Sequence, residues 1–235
     1  MDRTTYTLED QDRMKSADRY FAWQSRLVRK ELGRRVLEVG CGLGNFTGTL
    51  LDREAVIAVD IEPQCIQRLK RRYGNRPNLH AFACDVLSPE FRDLARLRPD
   101  SCVCLNVLEH IEDDAAALKA MASVLVPGSA IVLLVPAFQN LYGPIDRNLG
   151  HLRRYSRGAL RQLAVRTGLR IRKIHYSNCI GFFGWWANSH ILKREAQSEG
   201  QIEVFDRYLV PLISAVEGLA RPPFGQSLLA VFERP

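Results

Sequence analysis

Residues 35–47, RVLEVGCGLGNFT, set a short apolar run against three glycines at every second position. The run RVLEVG has the length and composition of a strand buried on both faces. Gly40, Gly42 and Gly44 then make a turn in which the backbone can adopt conformations closed to other residues and come close to a ligand. A strand entering such a turn and leaving it as a helix, here GLGNFTGTLLDR (42–53), begins a βαβ unit, and AVIAVDI (55–61) supplies its second strand.

The alternation continues outward from this point. EPQCIQRLKRRY (62–73) is expected to be helical, LHAFACD (79–85) a strand, PEFRDLARL (89–97) helical and SCVCLNV (101–107) a strand. HIEDDAAALKAMASVLVPG (110–128) reads as a helix with a Pro-Gly stop, and SAIVLLVPAF (129–138) as a continuous apolar strand. Strands regularly separated by helices argue for a parallel sheet covered on both faces. After Phe138 the stretch QNLYGPIDRNLGHLRRYS (139–156) is polar, punctuated by Gly and Pro, and too long for an ordinary connection, which marks a functional loop. SRGALRQLAVRTG (156–168) is a capped helix, LRIRKIHYS (169–177) a strand and QSLLAVFERP (226–235) a last strand. Upstream, residues 16–32 carry Tyr20, Phe21, Trp23, Leu27, Val28 and Leu32 at helical spacing before Gly33.

At 235 residues the chain fits one domain, 1–235, with a helical lead-in (1–33) and a mostly helical insertion (179–224) before the last strand. A hydrophobic content of 46% and a charged content of 25% are those of a globular protein. The first twenty residues have no apolar stretch of signal-peptide length and no run of eighteen apolar residues follows, so a cytoplasmic location is expected. The six cysteines form no CxxC pair and read as reduced core residues. The net charge of +7, with arginines concentrated between Arg153 and Arg172, would suit nucleic acid, an anionic surface or an acidic substrate.

Three strand ends carry acids in order: Glu38, Asp60 and Asp85. Asp60 lies twenty residues after Gly40, where a carboxylate can accept both hydroxyls of a ribose. Asp85 can accept from an exocyclic adenine amine while the Val86 N–H faces a ring nitrogen. Asn45 stands where a G-x-G-x-x-G dinucleotide fingerprint needs its last glycine, which counts against NAD. VLEVGCGLGNFT, AVDIEPQ, ACDV and NVLEHIEDDAAALKAMASVLVPGS together resemble the successive motifs of class I S-adenosylmethionine-dependent methyltransferases, over about residues 34–175.

That resemblance implies a Rossmann-like α/β three-layer sandwich, with a mostly parallel seven-stranded sheet whose last strand is antiparallel. It implies S-adenosylmethionine as cofactor and S-adenosylhomocysteine as product. Gly40, Gly42 and Gly44 would line the methionine part, Asp60 the ribose, Asp85 and Val86 the adenine, and Asn106 the site after strand four. Glu38, Cys41 and Ile61 join the same cofactor set. Methyl transfer asks mainly that donor and acceptor be held in line, and an alcohol or phenol acceptor also needs a base.

His151, in GHLRRYS, is the expected base, and His110 the second candidate, because both follow the C-terminal ends of central strands. The run GHLRRYSRGALRQLAVRTGL resembles the substrate-side loop and helix of small-molecule O- and C-methyltransferases. Asp146, Arg153, Arg154 and Tyr155 share that loop and could recognise an anionic group on the acceptor. No metal is expected, because Glu109, His110, Asp146 and His151 do not have the spacing of a dedicated metal motif. In the insertion, Trp185 and Trp186 belong to an aromatic cluster that could roof an apolar acceptor pocket. A dimer face and a peripheral membrane contact also fit its composition. The chain therefore reads first as a methyltransferase of a small aromatic, apolar or lipid-linked acceptor, second as an RNA methyltransferase, and third as a non-catalytic cofactor- or partner-binding module.

Overall fold

A computed structural model describes residues 9, 11–196 and 198–235. Seven strands form one sheet: β1 (Arg35–Val39), β2 (Ala55–Asp60), β3 (Leu79–Ala83), β4 (Ser101–Leu105), β5 (Ala130–Pro136), β6 (Arg170–Ser177) and β7 (Ser227–Glu233). Their spatial order is β3-β2-β1-β4-β5-β7-β6. The first five are parallel, and β7 runs antiparallel to both β5 and β6. The helices are α1 (Asp18–Val28), α2 (Pro63–Tyr73), α3 (Asp114–Val124), α4 (Pro144–Leu149), α5 (Arg157–Thr167), α6 (Cys179–Trp186), α7 (Glu199–Val204) and α8 (Val210–Leu219).

Alternate residues of each central strand point to opposite faces. Leu37, Ile57, Cys102, Ile131 and Phe232 enter one buried cluster, whereas Val36, Val56, Val103, Val132 and Val231 enter another on the far side. Both faces are covered, which is why β5 and β7 read as unbroken apolar runs and are buried along their whole length. The two edges differ from this. β3 is only partly buried, and β6 carries Arg170, Arg172 and Lys173, charges of the kind that keep an open edge from pairing with another chain. Those charges are neutralised locally, with Arg170 and Arg172 against Glu233 and Lys173 Nζ 2.6 Å from Glu31.

Helix ends follow from local chemistry. The Ser156 side chain accepts from the Ala159 N–H at the start of α5, and Gly168 at φ 70° closes it. Asp113 caps α3 in the same way through the Ala116 N–H. Two expected helices are shorter or tighter than their sequences suggest. After the glycine turn only Thr47–Leu50 coils, as a single 3₁₀ turn, because Gly44, Gly48 and two threonines disfavour α-helix. Pro89–Leu97 winds as 3₁₀ turns and ends at Arg98 in the left-handed conformation. The loop 139–156 contains the short helix α4.

The insertion packs back on the lead-in helix, with Val210 and Ile213 of α8 around Trp23 of α1. Among the described residues no helix is long and apolar enough to cross a membrane. The described cysteines are unpaired, and Cys102 and Cys104 are fully buried core residues.

Candidate active site

The strand order reverses between β1 and β4, and an open α/β sheet offers its crevice at such a point. There a single cavity of about 1290 Å³ opens at the C-terminal strand ends. Glu38, Gly40, Cys41, Gly42, Asp60, Ile61, Asp85, Val86 and Asn106 all line it, so nine residues from four strand ends converge there. Gly44 is not among the lining residues and packs closely against Leu69. At φ 80° a side chain is strained there, and a Cβ would lie 2.3 Å from Leu69 Cδ1. Gly40, at φ 76°, would drive a Cβ into Val107 at 2.2 Å.

The loop is fixed by backbone bonds from the Gly40 and Cys41 amides to the Val59 carbonyl, at 2.8 and 3.0 Å. Asp60 organises its other side: Oδ2 accepts from the Gly42 N–H at 2.8 Å and Oδ1 from the Glu62 N–H at 2.9 Å. Each oxygen keeps a further lone pair for a ligand. Burial raises the Asp60 pKa against those bonds. Glu38 is 4% exposed and its Oε2 has no partner. Burial, with the charge of Asp60 adding to it, pushes its pKa up to about 8. Residue Gln11, which the sequence does not single out, folds over the loop: its Oε1 accepts from the Leu43 N–H and its carbonyl from Asn45 Nδ2, both at 2.9 Å.

The same cavity is lined by His110, His151 and Arg154 and by Ile180, Phe183, Trp185, Phe205 and Leu209 of the insertion. His151 Nδ1 is 2.7 Å from Asp146 Oδ1. Asp146 also takes a two-pronged bond from Arg154, Nε at 2.9 Å and Nη2 at 3.1 Å, with the Gly143 N–H at 3.0 Å and Trp185 Nε1 at 3.3 Å. Burial works against its ionisation, yet the bond from His151 and the charge of Arg154 hold its pKa below the ordinary carboxylate range. An ionised Asp146 fixes the proton of His151 on Nδ1 and leaves Nε2 as the basic nitrogen. Burial, then the neighbouring His151, pushes the His110 pKa down to about 4, and the two rings meet edge to face at 4.8 Å.

Several loop residues are engaged in contacts within the protein. Asp146 is fully buried and spent on His151 and Arg154, and Arg154 also donates to the Ala137 carbonyl at 3.1 Å. Arg153 turns outward to Asp114 at 3.3 Å and the Glu112 carbonyl at 3.0 Å. Tyr155 is a core residue whose hydroxyl meets Asp114 Oδ2 at 3.1 Å. Trp185 lines the cavity, but Trp186 is 44% exposed outside it and stacks on His190. Glu109 is the residue the sequence undervalued. It is fully buried, neither carboxylate oxygen has a hydrogen-bond partner, and Oε1 lies 3.9 Å from His151 Nε2. Its one sequence signal is its place in Leu108-Glu109-His110 directly beyond a central strand.

This fold and crevice are those of a methyltransferase domain: residues 12–174 match the family model of that description, and the chain belongs to the family. Among curated proteins it is 33% identical over 111 residues to the ubiquinone biosynthesis O-methyltransferase of Xanthomonas euvesicatoria pv. vesicatoria (strain 85-10), a stretch covering 45% of each chain. It is 34% identical over 103 residues to the enzyme of the same name from Xylella fastidiosa (strain 9a5c), covering 42% of this chain and 40% of that one. The chain thus matches less than half the length of these relatives. In fold it is similar to the N-methyltransferase NodS from Bradyrhizobium japonicum WM9, solved with S-adenosylhomocysteine, at TM-score 0.59, 18% identity and full coverage of both chains. The geranyl diphosphate C-methyltransferase from Streptomyces coelicolor A3(2) aligns at TM-score 0.63 and 14% identity, over 90% of this chain and 77% of that one.

Proposed function

We propose that the chain is an S-adenosylmethionine-dependent methyltransferase acting on a hydroxyl of an apolar small molecule. The observation that carries this reading is one continuous cavity lined both by Glu38, Gly40 and Asp60 and by His110 and His151. Pockets for one drug-sized ligand run about 300–1,000 Å³. At about 1290 Å³ the cavity has room for a second molecule beside the first.

Glu38, Gly40 and Asp60 fit the cofactor. Gly40 holds a left-handed turn pressed against Val107 that a side chain could not, Asp60 retains acceptor capacity for ribose hydroxyls, and the unpartnered Glu38 oxygen suits a cationic group. Asp85, Val86, Ile61 and Asn106 would hold the adenosine side, and Cys41 and Gly42 the loop side. When bound, S-adenosylmethionine supplies an electrophilic methyl group, the bonding pair returning to sulfur as the methyl passes to the acceptor. The chain's own part is to place the acceptor and remove its proton. Asp146 orients His151, a residue of the cavity lining, so that Nε2 takes the hydroxyl proton. The insertion, 179–224, acts as the roof: Phe183 lines the cavity and is also 60% exposed, which gives the mouth an apolar rim suited to an aromatic or lipid-linked acceptor.

The RNA alternative draws on the arginine-rich stretch, but Arg153, Arg154, Arg170, Arg172 and Lys173 are paired with acids and Arg157 lies over the Tyr176 ring at 4.3 Å. That internal pairing favours the small molecule. The deciding experiment measures S-adenosylhomocysteine formation with a panel of phenols, alcohols, lipid-linked hydroxyls and RNA. Turnover confined to apolar hydroxyls, falling about 10²–10⁴-fold in His151→Ala, is expected for a general base. Full activity of that variant at every pH would refute the base, and failure of the folded wild type to bind S-adenosylhomocysteine would refute the reading.

A further inference from the structure

We propose that Arg194 and Asn188 form a recognition site for an anionic group, a carboxylate or a phosphate, which makes the acceptor an acidic amphiphile. The first observation is how charge is distributed over the cavity lining. Among the described residues its four acids, Glu38, Asp60, Glu62 and Asp85, all lie at or just beyond the ends of β1, β2 and β3. From Leu105 onward the lining holds His110, His151, Arg154 and Arg194, and no acid. Arg154 is neutralised by Asp146. Arg194, which is exposed as well as part of the lining, has no acidic partner among the described residues.

Asn188 supplies the second, independent observation. It is 8% exposed and lines the same cavity. Its Oδ1 accepts from Gln201 Nε2 at 3.4 Å, which leaves Nδ2 with no acceptor among the described residues. A buried N–H without an acceptor is costly, so the occupant of the cavity is the natural source of one. The backbone brings the two donors' residues together, the Arg194 N–H bonding to the Asn188 carbonyl at 3.0 Å. On the next residue the Glu195 carbonyl accepts from Asn148 Nδ2 at 3.0 Å. That bond ties the segment to the end of α4, three residues before His151. An anion answers a guanidinium and an amide together through charge-assisted hydrogen bonds, which a neutral group cannot do. The anion recognition expected of Arg153 and Arg154, both spent on acids, thereby falls to a residue the sequence does not single out.

That this anion belongs to the methyl acceptor rests on the methyltransferase reading above; the site itself does not. The test is calorimetric titration of the protein with ω-hydroxydecanoate, ω-hydroxydecyl phosphate and the neutral α,ω-decanediol, in the presence and absence of S-adenosylhomocysteine. The flexible chains let hydroxyl and anion find their own spacing. The wild type is expected to bind at least one of the two anions about tenfold or more tightly than the diol. The tighter of the two names the source, carboxylate or phosphate. Arg194→Gln should abolish that preference and Arg194→Lys keep part of it, while Asn188→Asp, which puts a negative charge beside the site, should favour the diol. Lys193→Gln removes an exposed cation outside the lining and should leave the preference intact. A wild type that does not prefer an anion, a preference that survives Arg194→Gln or Asn188→Asp, or one that Lys193→Gln lowers equally, overturns the proposal. Titration of S-adenosylhomocysteine alone separates the two readings. Protein that takes the product without preferring anions loses only this site, and protein that prefers anions but takes no product keeps it and loses the methyltransferase assignment.

Discussion

Replacing Glu38 by Gln should remove a pH dependence of stability that the wild type carries. The carboxyl is 4% exposed, with one oxygen unpartnered, and burial has moved its pKa from 4.5 to about 8. Between those values the folded chain holds a proton on Glu38 that the unfolded chain has released. Folding is therefore favoured most at the acid side of the window and loses about 1.4 kcal/mol per pH unit as pH rises through it. From pH 5.5 to pH 8 the wild type should lose about 3 kcal/mol relative to Glu38→Gln, other groups being common to both. Urea unfolding of the ligand-free proteins at the two pH values measures this. A cationic ligand group reverses the preference by favouring the ionised carboxylate. Product or cofactor binding near pH 7 should then release protons, seen as a buffer-dependent heat that Glu38→Gln abolishes. Parallel stability curves for the two proteins, or proton release that survives the substitution, would refute the assignment of both the shift and the charge partner.

Asp146→Ala leaves Arg154 buried without its partner, and should cost about 3–5 kcal/mol in urea unfolding, as broken buried ion pairs do; a loss under about 1 kcal/mol would mean that water reaches the guanidinium. Gly44→Ala places a Cβ 2.3 Å from Leu69 at a left-handed φ. It should destabilise by about 1–3 kcal/mol, read as a lower thermal midpoint, and an unchanged midpoint would show that the loop can flatten. Asp60→Asn keeps shape but removes the charge that holds the Gly42 amide. It should weaken S-adenosylhomocysteine binding about ten- to a hundredfold by calorimetry, and unchanged affinity would take Asp60 out of the site.

The succession of strands was legible because each central strand is an apolar run on a fully covered sheet, with Glu38 as the one acid near the end of β1 and Asp60 closing β2. Glu38 and Asp60 could be placed in the crevice for the same reason. The helix after the glycine turn was not legible, since apolar spacing says nothing about whether glycine and threonine will hold an α-helical turn. Within the loop, sequence proximity misleads: Arg153 and Arg154 are neighbours, yet one reaches Asp114 at the surface and the other is sealed against Asp146. Which side faces inward is set by the backbone pairing of residues 137 and 155, a contact distant in sequence. Glu109 was hidden because an acid after a strand ordinarily signals a cap or a solvated turn. The loop brought against it, with the Leu152 N–H on the Glu109 carbonyl at 2.8 Å and His151 Nε2 3.9 Å from Oε1, makes it interior.

The position of β7 has a bearing on biosynthesis. Residues 227–233 are made after all other strands, yet they lie between β5 and β6 and supply the pairing for both. While the ribosome is still translating the insertion, β5 and β6 each present a row of unsatisfied amides and carbonyls, and β5 is almost wholly apolar. The nascent chain must carry that open seam through the synthesis of some fifty residues, about 3–10 s at ordinary elongation rates. Recombinant yield should accordingly respond to chaperone supply and growth temperature more than the stability of the finished fold would suggest.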